Sequence, residues 1–260
     1  MAGITFPKVG EKHRLVPLYN PDNLLDSTRI KTRKRAILIY SKDLEKIMKR
    51  ELGFLADKRL SRLIPNPESI YLCRSVKDLI VVKLGIGAPL TAVVAEELYA
   101  AGVKEILIMG IAGSLNRKLD FGDLVVCSRA VLDEGTSHHY LKNSLYVSPS
   151  SGLTVKLCRI MDKLGIKYAK GTTWTIDAPY METVHEVKHY RKKKVLTVEM
   201  EAAALFAIAK RRGKGAAALF TISDILDPEG WSGFDKRGKR KRKREAYPKM
   251  AMVAREFGKG

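Results

Sequence analysis

The stretch Leu79-Ile80-Val81-Val82-Lys83-Leu84-Gly85-Ile86-Gly87-Ala88-Pro89, with its continuation to Ile106-Leu107-Ile108-Met109-Gly110-Ile111-Ala112-Gly113, decides the fold. Leu79 to Val82 is a continuous apolar run of the kind a strand buried on both faces requires. The glycines at 85 and 87 then break it. Pro89 suits the first turn of a helix and Gly102 its C-terminal cap, so a helix is expected between them. Ile106 to Met109 reads as a second buried strand running into a small-residue turn at Gly110 to Gly113. Strand, helix, strand is a crossover unit.

The same alternation extends outward. Ala36 to Tyr40 reads as a strand, and the pattern from Asp43 to Leu52 as a helix stopped by Gly53. Pro65 and Pro67 mark a loop. Val195 to Val198 reads as a strand, Met200 to Arg211 as an Ala-rich helix, and Ala216 to Ile222 as a strand with Ser223 and Asp224 at its carboxyl end. These units predict an α/β protein, with residues 1–260 as one domain. In open α/β sheets ligands gather outside the carboxyl ends of the strands, so the loops after Leu84, Met109 and Ile222 are expected to converge on a site.

Composition bounds the function. Nowhere do about 20 uncharged apolar residues follow one another, so no membrane span is expected and a cytoplasmic location is. Cys73, Cys127 and Cys158 have neither disulfide nor zinc spacing and read as reduced thiols. The formal net charge is +20, and eight of the nine residues from 236 to 244 are Lys or Arg. That run reads as a solvated loop, with phosphate-bearing small substrates or nucleic acid as the alternative partners.

Three motifs carry chemistry on paper. Gly85-x-Gly87 lacks the third glycine of a dinucleotide fingerprint, so no such cofactor is expected, but its backbone suits an anion at a helix start. His185-Glu186-Val187-Lys188-His189 matches the H-E-x-x-H zinc pattern. Lys188 within it and Arg191 to Lys194 after it argue instead for a solvated helix and no metal. His138 and His139 read as a polar loop. Val198-Glu199-Met200-Glu201 places two acids around a methionine after a buried strand. They either start a helix or accept hydrogen bonds from neighbouring sugar hydroxyls while the thioether packs on the ribose.

Residues 81–113, Gly122 to Val126, Asp133 to Ser137, Gly171 to Tyr180, Val198 to Glu201 and Ser223-Asp224 follow the order found in nucleoside phosphorylases of the purine and uridine type, and the chain resembles archaeal uridine phosphorylase-like members. The resemblance implies a central mixed, twisted sheet flanked by helices. It also implies cleavage of a purine nucleoside or uridine with phosphate as co-substrate and no further cofactor, in a homo-oligomer that is hexameric or dimer-based. By the same resemblance Glu199, Met200 and Glu201 bind ribose, and Ala112, Gly113, Asp177, Tyr180 and Ser223 border the base. Asp224, partnered by Arg237, assists the departing base.

The departures matter equally. Ile108 and Ile111 stand where the family holds phosphate with an arginine and a hydroxyl, and Met181 where close relatives carry an arginine near the base. The N-terminal phosphate loop is unrecognisable, its nearest counterpart being Ser41 to Leu44. Either Arg29, Arg33 or Arg74 supplies the missing cation or phosphate is not the nucleophile. A nucleosidase, attacking with water, is therefore the alternative, and a non-catalytic nucleoside or nucleic-acid binder a third reading.

Overall fold

A computed structural model describes residues 12, 15–24, 32–64, 67–142, 144–233 and 237–260, with the side chains of 23, 24, 62, 63, 237–241 and 243 also outside the description. In chain order the elements are α1 (Pro21–Leu24), β1 (Arg35–Ile39), α2 (Lys42–Leu52), β2 (Phe54–Ala56), α3 (Lys58–Leu63), β3 (Ser69–Cys73), β4 (Leu79–Lys83), α4 (Ala88–Ala100), β5 (Glu105–Ser114), β6 (Leu124–Asp133), β7 (Tyr146–Val147), α5 (Ser151–Lys163), β8 (Ala169–Ile176), α6 (Val184–Lys192), β9 (Val195–Glu199), α7 (Ala202–Arg212), β10 (Gly215–Asp227), β11 (Gly230–Ser232) and α8 (Arg237–Lys259). All eleven strands join one mixed sheet flanked by helices.

The buried strands alternate as a two-sided sheet must. Ile37, Ile39, Leu107, Met109, Ala217 and Leu219 face α2, α5 and α8. Leu38, Ile106, Ile108, Ala216, Ala218 and Phe220 face α4 and α7. A third, smaller cluster forms around Trp174 under α6. Gly53 ends α2 in the left-handed conformation, with φ of 64°. Without a Cβ it enters that region at no steric cost.

β5 organises the centre. On one edge it pairs with β10 almost throughout, from Glu105↔Gly215 to Ser114↔Ile225. On the other edge its first half pairs in parallel with β1, ending at Met109↔Ile39, and its last residues pair antiparallel with β9, at Gly113↔Val198 and Ser114↔Thr197. Gly110 to Ala112 therefore face a seam between β1 and β9. This is a topological switch of the kind that hosts ligands in α/β sheets.

Three local expectations change. Gly110 to Gly113 are strand rather than turn, because β10 supplies an uninterrupted hydrogen-bonding partner. Ser223 and Asp224 lie inside β10, at a bulge between Ile222 and Asp224, and the strand continues to Asp227. The basic run is not a loop from residue 237 onward but the start of α8, consistent with the good helix propensity of Lys and Arg. Within it Arg242 pairs with Asp120, and Arg244 lies 3.8 Å from Asp43.

Candidate active site

The two acids around Met200 have different roles in the structure. Glu199 ends β9, is buried, and takes every contact from the protein itself. Its Oε2 accepts the N–H groups of Glu201 at 2.9 Å and Ala202 at 2.8 Å, and its Oε1 accepts the Thr175 hydroxyl at 2.6 Å. It thus satisfies orphan donors at the start of α7, where the helix dipole favours an anion. Thr173, two residues before Thr175 on β8, lies on the same face, 3.5 Å from Oε1.

Glu201, at the N-cap of α7, is also buried but far less occupied. Its Oε1 accepts Gly87 N–H at 2.8 Å and its Oε2 the Met200 N–H at 3.3 Å. A carboxylate offers roughly four acceptor positions, so capacity remains for hydroxyl groups of a ligand. Gly87, with φ of 111° immediately before α4, presents its amide in a conformation that favours glycine. The start of α4 and the start of α7 therefore meet through this bond. Among the described residues neither acid has an ion-pair partner. Burial raises both carboxyl groups above their ordinary range, and for Glu201 the neighbouring Glu199 charge adds to it.

The opposite wall is built on the β10 bulge. Ser223 is the extra residue, buried, with its hydroxyl 2.6 Å from Asp224 Oδ1 and 3.3 Å from the Ala112 carbonyl oxygen. Asp224 Oδ2 accepts the indole N–H of Trp231, on β11, at 3.0 Å. Bulges near sites re-aim single side chains, and here the bulge turns Asp224 toward β5. Gly113 lies between the two walls: it pairs with Val198 on one edge and Asp224 on the other. A methyl group placed on Gly113 would sit 2.4 Å from Leu226 Cδ1, 3.1 Å from Val198 Cγ1 and 3.2 Å from Asp224 Oδ2. Glycine at 113 lets Val198 of β9 and the Asp224 side chain of β10 both pack against β5 at this point.

The remaining residues singled out in the sequence separate into near and far. Ile108 is fully buried on the α4/α7 face, and Ile111 is half-buried in the seam. Asp177 accepts Gly135 N–H at 2.9 Å through Oδ2. Tyr180 is 101% exposed and Met181 69% exposed, so in this chain alone neither is covered by anything that would hold a base against it. The Arg237 side chain and all of Arg29 lie outside the described residues. Arg33 precedes the amino end of β1, and Arg74 follows the end of β3 that lies beside the amino end of β4. Five strand residues at roughly 3.3 Å each separate those ends from the carboxyl side where Glu201 sits, so within one chain neither arginine stands in for the missing cation.

His185 and His189 are exposed on α6, and Glu186 is engaged in a capping box, its Oε2 accepting the Thr183 N–H at 2.9 Å and hydroxyl at 2.7 Å. That acid is used by the helix start, not by a metal. His138 and His139 fall in a one-turn 3₁₀ helix, Ser137–His139.

Several site residues escaped the sequence reading. Tyr40 follows β1 at the seam, and its hydroxyl shares a 3.0 Å hydrogen bond with Thr91 on α4. Its ring lies over Gly110, beside Phe220 and Ile108. Burial, and next the Glu201 charge, push the phenol well above its ordinary value, so it stays neutral. Polar residues closing an apolar strand and opening an apolar helix were the available signal. Glu182, half-buried, has its carboxyl raised to about 7 by burial first and then by the Asp224 charge.

Comparison with known proteins places the architecture. The family model described as Phosphorylase superfamily matches residues 48–257. The chain is 32% identical over 158 residues to the guanosine phosphorylase of Halorubrum lacusprofundi, covering 61% of this chain and 66% of that protein. It is 29% identical over 155 residues to the uridine phosphorylase of Thermococcus kodakarensis, covering 55% of this chain and 56% of that one. The match thus spans less than two thirds of either relative. The crystal structure of uridine phosphorylase from Vibrio fischeri superposes with a TM-score of 0.73 at 21% identity, over 89% of this chain and 93% of that one. Purine nucleoside phosphorylase from Toxoplasma gondii in complex with immucillin-H gives 0.72 at 22%, over 86% and 90%. At such identities the structural likeness speaks for the fold.

Proposed function

The chain belongs to the phosphorylase superfamily, and from that premise we propose that it cleaves the N-glycosidic bond of a purine nucleoside or uridine, with phosphate as acceptor. The observation that carries this reading is the placement of Glu201. It is a buried carboxylate with unused acceptor positions, two residues beyond β9, the strand that pairs with Gly113 on the edge opposite Asp224. Glu201 accepts hydrogen bonds from the ribose hydroxyls, with Met200 beside it, and Glu199 holds the loop from behind. Asp224 hydrogen-bonds the base as the bond to C1′ breaks. The electron pair of that bond goes to the base nitrogen, an oxygen of hydrogen phosphate bonds to C1′, and the proton that phosphate gives up ends on the base.

A second reading has its own support. The position expected to carry a phosphate-binding cation is filled by buried Ile108, and Tyr40 closes over Gly110 next to it. A dianion facing Ile108 and Ile111 in place of an arginine and a hydroxyl would cost several kcal/mol. Water in place of phosphate removes that cost and makes the reaction a hydrolysis to free base and ribose. Incubation with inosine, adenosine, guanosine and uridine, with and without phosphate, distinguishes the two by yielding ribose 1-phosphate or ribose. No release of base from any of them would overturn both. We propose an oligomer as well: exposed Tyr180 can serve as a base wall only where a second copy covers it, and sedimentation velocity tests the assembly.

No helix among the described residues is long and apolar enough to cross a membrane.

A further inference from the structure

Trp231 belongs to a part of the molecule that the proposed reaction leaves unused. β10 and β11 form a hairpin through Asp227↔Gly230, with Leu226↔Trp231 and Ile225↔Ser232 above the turn. The turn is tied down from two directions. Arg117 reaches Asp227 at 3.2 Å and Glu229 at 3.5 Å, while Arg191 reaches Asp227 at 3.0 Å and the Leu226 carbonyl at 2.6 Å. At the other end the indole lies directly on Gly233, where a methyl group would meet its six-membered ring at 1.9 Å. The ring is thus seated on an anchored hairpin, yet it remains 64% exposed, and its N–H points at Asp224 Oδ2.

An indole nitrogen only donates, so it takes one acceptor position on the Asp224 oxygen that a nucleobase N–H approaching from the same side would use. A base that hydrogen-bonds Asp224 must come alongside the ring that flanks it. Exposed aromatic faces next to a base are stacking surfaces. We propose that Trp231 is a base-contacting residue of this site: its N–H holds Asp224 in the empty protein, an incoming nucleobase takes that place, and the displaced ring stacks on the base. This rests on the reading of Asp224 as the group that faces the base.

The two halves of the proposal act in opposite directions. Trp231→Phe keeps a ring but removes the competing donor, and lowers the nucleoside KM about two- to tenfold, the worth of one hydrogen bond. Trp231→Ala removes the ring and raises KM about five- to 150-fold, the range of one base–aromatic stack. A purely structural role would move both in the same direction. A second readout needs no turnover. In protein labelled with ¹⁵N-tryptophan, the Trp231 indole resonance, assigned by its loss in Trp231→Phe, shifts on adding inosine, guanosine or uridine or their free bases. Trp174, which is buried with its N–H on Asp133 at 2.7 Å, serves as the internal reference. Turnover with an unmoved Trp231 resonance, or equal KM increases in both variants, overturns the proposal and leaves the proposed function standing. A shift on binding without any turnover keeps the proposal and overturns that function, and no binding of any probe overturns both.

Discussion

Replacing Glu199 and Glu201 one at a time separates the acid that builds the site from the acid that uses it. Glu199→Ala removes the acceptor for two backbone N–H groups at the start of α7, bonded at 2.9 and 2.8 Å, and for the Thr175 hydroxyl at 2.6 Å. Leaving buried donors unmade costs about 1–3 kcal/mol each. Relief of a buried charge offsets part of that, so a net loss of about 2–4 kcal/mol is expected in urea unfolding. Glu201→Gln behaves differently: the amide oxygen still accepts Gly87 N–H and only the long 3.3 Å bond from Met200 N–H is lost, so the fold is kept, while one acceptor for the proposed sugar becomes a donor. Losing one hydrogen bond to a charged group, about 1.5–3 kcal/mol, lowers kcat/KM by roughly ten- to 150-fold. The paired assay is a denaturation curve and a base-release assay on both variants. A Glu201→Gln protein with wild-type turnover, or a Glu199→Ala protein as stable as wild type, would refute the division of labour.

Other outcomes follow from the same contacts. The folded chain holds protons on Glu199 and Glu201 at pH values where the unfolded chain, with carboxyls near 4.5, has released them. Their contribution to stability is therefore full below about 4.5 and is lost as pH rises to about 7 and 8, and Glu201→Gln reduces the change in Tm over that window; an unchanged pH dependence contradicts the burial argument. Gly113→Ala forces a methyl group to 2.4 Å from Leu226 Cδ1, costing about 1–3 kcal/mol, and combining it with Leu226→Ala costs less than the sum of the two changes in a double-mutant cycle. Glu186→Ala loses the capping box of α6 and about 0.5–2 kcal/mol by thermal unfolding, whereas His185→Ala leaves turnover unaltered; a loss of turnover in the histidine variant would revive the metal reading.

The strands legible in the sequence were β1, β4, the first half of β5 and the first half of β10, whose continuous apolar runs mark burial on both faces, together with β9 over Val195 to Val198. The second halves of β5 and β10 were not legible as strand. Gly110, Ala112 and Gly113 have the composition of a turn, and only β10 alongside makes them extended. The basic stretch that opens α8 misled for a related reason, since charge density speaks of solvation and says little about backbone conformation. At the site, the two acids around Met200 and the Ser223-Asp224 pair were visible as motifs. Their unequal roles were not, because they depend on Gly87, Thr175 and Trp231, whose contacts arise only on folding. Arg33 and Arg74 failed as substitute cations since a sequence does not disclose which end of the sheet a loop occupies.

The change of partner along β5 has an effect on how this protein can diversify. One continuous strand pairs with both β9 and β10, so the distance between the Glu199 side and the Asp224 side is fixed by peptide geometry and cannot drift with loop sequence. On the proposed function, substitutions that alter which base is accepted are thereby directed to the rim, in the β10–β11 hairpin and the segment around Tyr180. The spacing across the floor stays constant while the rim varies.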